Sequence, residues 1–423
     1  MTLSPSKNFD EAFCTLGPQT WSPKIVTPVN MADGTETEVF FRCKTIELSD
    51  DAEDFRLFLT GLGATSGWSS PPEIAAELNS DLGTLGRGAA MGPYTQGWID
   101  GDTYIEVNEW YSRWLSDAAT ALMKNHEWDL FFMHSHPPDW VYHAVITAME
   151  ENNPDRVKYE EAWRVHLGIY ETQDRMIGRI LEVLDEDTLV VLVSDHGATA
   201  DGPMFDPYKA LVPAGLTTLG EQVDMEVSGK FAEGLRIGLQ LPIPAKSKAM
   251  PQRSIYVYVN LKGRDPEGIV DPEDYEKVQQ EIIDALYAYV DPKTGQRPIA
   301  LALSKQDARI LGLYGPGIGD VVYAIRPEFG SQHGSILPAT EHGVGSLKAL
   351  FTFTGPGVKK GYRLKRTCWI TDMVPTICYL MGLPVPETAD GAVIYQIFED
   401  PDFKRKETEE LKQKLAELEK KLA

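Results

Sequence analysis

Apolar residues recur along the chain with two periods, and the alternation between them sets the expected elements. Helical spacing runs through Tyr111–Asn125, where Trp114, Leu115, Ala118, Ala119 and Leu122 share a face. It runs again through Asp155–Leu184, with Ile177, Ile180, Leu181 and Leu184 at i, i+3, i+4 and i+7. Short apolar runs at Asp129–Met133 and Thr188–Val193 suit strands buried on both faces of a parallel sheet. Further strands are expected over Thr37–Leu48, Ser254–Asn260, Ile299–Leu303, Asp320–Ile325 and Ala349–Thr354. Helices are expected over Pro71–Leu82, Pro272–Val290 and Thr371–Met381, the last stopped by Gly382-Leu383-Pro384. Strand, helix and strand in succession predict an open α/β sheet whose polar site gathers outside the carboxyl ends of the strands. Residues 200–250, irregular and rich in Gly and Pro, read as an insertion lying over that site.

The stretch Phe403–Ala423 differs in kind. Leu411, Leu415, Leu418 and Leu422 alternate spacings of four and three among Lys and Glu, a coiled-coil seam. So short a seam is marginal as an isolated helix. It either packs on its own domain or associates with a second copy. The chain therefore divides into one domain over 1–402 and an amphipathic helix over 403–423.

Composition narrows the class. At 423 residues the chain can bury a large core, and 43% hydrophobic with 24% charged residues is ordinary for a globular protein. No apolar stretch approaches the ~20 residues of a membrane span. The start, MTLSPSKNFDEAF, lacks the basic and apolar regions of a secretory signal, which points to a cytoplasmic location. Cys14, Cys43, Cys368 and Cys378 show no CxxC spacing and read as free thiols, with a Cys368–Cys378 pair as the alternative. A net charge of −23 argues against broad nucleic-acid binding but leaves room for a phosphate-ester substrate, because bound cations reverse the local field.

Three blocks carry the chemistry: PPDWVYH (137–143), VSDHGA (193–198) and EHGVGS (341–346). Imidazole and carboxylate are ligands for a borderline divalent cation such as Zn²⁺. Asp139 and His143 stand four apart, so a helix beginning at Pro137-Pro138 sets both on one face. Asp195 and His196 end an apolar strand and point to different sides, toward two ions or two quadrants of one. His342 precedes another strand in a glycine-rich approach. Five such residues suggest two metal ions rather than one. His134 and His136 lie near enough to this site to meet a substrate, and His126, His166 and His333 read as structural.

The order D-x-x-x-H, S-D-H-G, then H-G before an ALF-type strand and GPGVKKG resembles the type I phosphodiesterase/nucleotide pyrophosphatase branch of the alkaline phosphatase superfamily. Tyr258–Gly268, Asp291–Gly295 and Thr371–Asp390 look like that family's C-terminal half, so the resemblance spans about residues 105–400. It implies an alkaline-phosphatase-like α/β/α sandwich with a mostly parallel central sheet. It also implies two divalent ions, Zn²⁺ or alternatively Mn²⁺, acting on a phosphate ester or nucleotide. By motif position, Asp139, His143 and His342 hold one ion, and Asp195 with His196 supplies half the shell of the other. A covalent phospho-enzyme on Thr or Ser would divide the reaction into two easier steps.

The family's first-strand Asp and its Thr/Ser nucleophile at a helix start have no recognisable counterpart. Asp33-Gly34 lies in a polar turn, and Thr65-Ser66 follows no strand bearing the Asp. The catalytic nucleophile is therefore unassigned. The expectation is a chain lacking the family's N-terminal strands, either a metal-dependent phosphoric-ester hydrolase or a non-catalytic or split-gene subunit. A partner chain would then supply the N-terminal half; a homo-oligomer through the C-terminal helix is the alternative association. Phosphomonoesterase, sulfatase and phosphoglycerate mutase-like activities belong to the same superfamily and share overlapping ligand sets.

Overall fold

The computed structural model describes every residue except 32–33, 52, 82–90, 201, 204, 222, 227–235, 253–254, 330–347 and 423. The chain forms two units, one of Met1–Asp195 with Ala349–Ala423 and one of His196–Lys348. Among the described residues, no helix is long and apolar enough to cross a membrane. The four cysteines are free thiols.

The first unit is organised around helices Gly101–Asn125 and Arg156–Leu181. Their N-caps, Asp100 and Asp155, accept from the backbone N–H groups of Thr103 and Lys158. Contacts advance together along both helices: Asp102 with Arg164, Ser112 with Thr172, Asp117 with Arg179. The two therefore run parallel, and the chain must return between them. Close approach depends on missing side chains: a Cβ on Gly168 would stand 2.5 Å from Ile105 Cδ1. Tyr104, Val107, Val165 and Ile169 form the apolar centre. The return segment carries the short helix Pro137–Val145, whose Val141 and Val145 plug into that centre.

Around this core lie small antiparallel sheets. Ile25–Asn30, Glu36–Phe41 and Gly63–Ala64 form one, and Cys43–Leu48 with Phe55–Leu59 forms another. The expected strand Thr37–Leu48 is thus two strands in different sheets. The chain changes sheet at Arg42, whose N–H is taken by Thr60 Oγ1 at 2.9 Å. Among the described residues, the expected parallel central sheet is not seen. Val190–Val193 pairs antiparallel with Phe351–Thr354, and the Asp129–Met133 run is no strand. Leu130 and Phe132 there are 75% and 78% exposed. A parallel strand needs both faces covered; this run has one face in water.

The second unit centres on a four-stranded sheet in the order Ala249–Gln252, Tyr256–Val259, Val321–Ile325, Ile299–Ser304, antiparallel throughout. Helix Tyr275–Ala288 covers one face through Val278, Ile282 and Leu286. Sequence patterning located the other three strands and the helix to within a few residues, but the edge strand Ala249–Gln252 begins inside the stretch expected to be an irregular insertion. The buried Asp320 carboxylate ties them together. It accepts from Arg264 at 2.9 and 2.7 Å, from the Tyr275 hydroxyl at 2.8 Å and from Val259 N–H at 2.8 Å. Burial and the Asp320 carboxylate push the Tyr275 phenol above its ordinary range. Beside it, Asn260 Nδ2 donates to the carbonyls of Pro244, Ser247 and Glu267. The residue block Tyr258–Gly268 therefore serves packing.

Asp320→Ala should lower stability by about 3–5 kcal/mol, since it leaves Val259 N–H and the Arg264 guanidinium without their buried acceptor. Lys262→Ala, which removes a surface pair with Asp271 at 2.7 Å, should cost about 1 kcal/mol or less. Urea denaturation of both variants measures the difference.

Candidate active site

Helix Pro137–Val145 presents two opposed faces. Residues two apart lie about 200° around a helix of 3.6 residues per turn. Val141 and Val145 face the core, so Asp139 and His143 face away from it. Pro137 and Pro138 fill the first turn, where missing N–H groups cost nothing. Asp139 N–H and Trp140 N–H both reach His136 O, closing that turn. Below it, Ser135 Oγ donates to Gln173 Oε1 at 2.6 Å, and Gln173 Nε2 donates to Ser112 Oγ at 2.7 Å. The approach to the short helix is thus fastened to both long helices.

His143 Nε2 lies 3.2 Å from Asp139 Oδ1, with both side chains partly open to solvent. This separation fits a shared cation. Ligand atoms at about 2.0–2.2 Å from a tetrahedral Zn²⁺ stand roughly 3.3–3.6 Å from each other, close to this spacing. The oxygen and nitrogen donors suit zinc chemistry, and the pair supplies two of the ligands such an ion needs.

The aromatic residues before and between the pair in sequence pack on one another and on the long helix. His136 stacks on Trp140 at 5.2 Å and meets His134 at 4.2 Å. Tyr142, between the two faces, packs on His166 at 5.0 Å and accepts from the Tyr170 hydroxyl at 3.2 Å. His166 Nδ1 is buried with no hydrogen-bond partner, and burial holds this imidazole below its ordinary 6.5. Beneath the helix the Tyr104 hydroxyl is also buried without a partner. Burial first, then Tyr94 and Asp139, push that phenol up. Tyr104, Tyr142 and Tyr170 are absent from the sequence-based set. The available signal was the i, i+4 spacing of His166 and Tyr170 on a helix packed beside the D-x-x-x-H block.

Asp195 and His196 follow strand Val190–Val193, as expected, and Ser194 N–H bonds Leu350 O at 2.9 Å to fix the strand's end. His196 Nδ1 stands 2.7 Å from Gly197 O. The division between the two units falls between these adjacent residues. His342 lies outside the described residues. Among the described residues, no three of His, Cys, Asp and Glu form a group able to hold a metal. Asp139 with His143 is the sequence-predicted pair brought together. Asp33 also lies outside the described residues. Thr65 is bound to Glu38 through Oγ1 at 3.0 Å and stands before, not at, the helix Pro72–Asp81. It has none of the expected nucleophile geometry.

The sequence model of the family described as type I phosphodiesterase / nucleotide pyrophosphatase matches residues 4–344. That family hydrolyses phosphodiester or pyrophosphate bonds and generally uses divalent metals. No curated protein and no solved structure matches. Because the match begins at residue 4, the expected loss of the family's N-terminal region is not borne out. The Thr371–Asp390 block, expected within the family region, lies beyond the match. There the buried Asp372 carboxylate accepts from Trp369 and Ala392 N–H groups at 3.1 and 2.9 Å.

His166 gives the site a pH signature. Its lowered value means the unfolded chain takes up a proton that the folded chain refuses, so its contribution to stability is lost as pH falls through 6.5. Above that pH the imidazole is neutral in both states and costs nothing. His166→Phe should flatten the loss of stability on acidification, read by thermal unfolding across the neutral-to-acid range.

Proposed function

The chain belongs to the type I phosphodiesterase/nucleotide pyrophosphatase family, and from that premise we propose that it hydrolyses phosphoric diesters or pyrophosphates at a metal site built on Asp139 and His143. The observation that carries the reading is their 3.2 Å contact on the open face of a helix anchored in the core, inside the family-matched region. Asp139, His143 and His342 are proposed to hold one divalent ion, and Asp195 with His196 to contribute to a second. Ions so held polarise the phosphoryl oxygens and lower the pKa of the attacking group. The chain's own part is positioning. Val141 and Val145 fix the helix, and Ser135 and Gln173 fix its approach. His134, His136 and Trp140 form an aromatic border against which a small phosphate ester or a nucleotide base can rest. Protons compete with metal ions for imidazole and carboxylate ligands, so affinity should weaken as the solution becomes acidic.

Calorimetric titration of Zn²⁺ into the chelated protein should show saturable binding. Asp139→Asn and His143→Ala should weaken it at least about tenfold. Bis(p-nitrophenyl) phosphate should then be hydrolysed faster by the loaded wild type than aryl monophosphate or aryl sulfate. Uptake no better than in His143→Ala ends this reading. Tight uptake without turnover of any ester favours a non-catalytic module that captures phosphate esters.

A further inference from the structure

Helix Phe403–Leu422 carries a seam of leucines of which Leu411, Leu415 and Leu418 are left uncovered by the described residues. Leu411, Leu415 and Leu418 are 59%, 57% and 56% exposed, and every described side chain from Arg405 to Lys421 is exposed. Two ion pairs tie the helix down near its start. Lys406 Nζ pairs with Asp400 Oδ2 at 2.6 Å, and Arg405 pairs with Asp402 at 3.4 Å. A row of leucines at spacings of four and three, left in water, forgoes the burial that a facing helix would supply.

We propose that this helix forms a parallel two-stranded coiled coil with the same helix of a second copy, making the protein a dimer in solution. The charges flanking the seam select that occupant and that orientation. With Leu415 and Leu422 at a, and Leu411 and Leu418 at d, Glu407 and Lys414 occupy g, while Lys412 and Glu419 occupy e. In a parallel pair each g side chain faces the e side chain five residues on in the other helix. Glu407 then meets Lys412 of the second copy, and Lys414 meets Glu419 of the second copy. Both contacts join opposite charges, and symmetry makes each of them twice. An antiparallel pair that matches the same leucine layers sets Lys414 against Lys421, like charge against like. A lone helix of this length is marginal in water.

Sedimentation equilibrium of the full chain should show a concentration-dependent dimer in the micromolar range. Leu411→Glu with Leu418→Glu should render it monomeric while leaving the far-ultraviolet spectrum of the remaining fold intact, because both positions are exposed. Lys412→Glu with Lys414→Glu should also dissociate it, and adding Glu407→Lys with Glu419→Lys should restore the dimer. For orientation, Leu418→Cys should cross-link on mild oxidation to a covalent dimer that the wild type does not form, since equivalent d positions face each other only in the parallel arrangement. A wild-type monomer at these concentrations, or a dimer that survives Leu411→Glu with Leu418→Glu, overturns the proposal. Dissociation by the glutamates without a Leu418→Cys cross-link overturns the parallel arrangement.

Discussion

Burial of two valines holds the candidate site in place. Val141 and Val145 are locked into the centre made by Tyr104, Val165 and Ile169. The periodicity of the helix then leaves Asp139 and His143 no choice but to face outward together. Everything proposed about chemistry follows from that constraint. The prolines start the helix, the Ser135–Gln173–Ser112 chain fixes its approach, and the parallel run of the two long helices forces a return segment across their surface. A site built in this way is rigid on one side and open on the other, as a site for a charged ester needs to be.

Polar groups left unpaired inside the same region are informative. The buried His166 Nδ1 and Tyr104 hydroxyl lack partners where most buried polar atoms have one. They lie in the helical centre that supports Asp139 and His143, one packed on Tyr142 and the other beneath the helix. The contrast with Asp320 is instructive. That carboxylate is fully satisfied by Arg264, Tyr275 and Val259 and serves only to join a sheet, a helix and a loop. Satisfied networks of this kind hold a fold together, whereas unpaired buried groups mark strain or a role yet to be filled.

Legibility in the sequence followed the strength of local patterning. Helices Arg156–Leu181 and Tyr275–Ala288 were readable because their apolar stripes are continuous and their termini are capped or preceded by proline. The D-x-x-x-H pair was readable because i, i+4 spacing and two prolines together specify a helical face. Asp129–Met133 misled because five mostly apolar residues fit a buried strand and a one-sided surface segment equally well, and periodicity cannot separate them. Thr37–Leu48 misled for a different reason. Its alternation continues through Arg42, but the partner strands change there, and pairing is a non-local property. Tyr104 was unreadable as a site neighbour, since its proximity to Asp139 arises from helix packing alone.

X-ray absorption at the zinc K-edge tests the central claim most directly. The Zn²⁺-loaded chain should show an oxygen and nitrogen shell at about 2.0–2.1 Å with the multiple scattering of imidazole. In His143→Ala that imidazole contribution should fall, and in Asp139→Asn the shell should lose ordered oxygen. Spectra identical in the wild type and both variants would contradict the account, because the metal would then be held by other side chains.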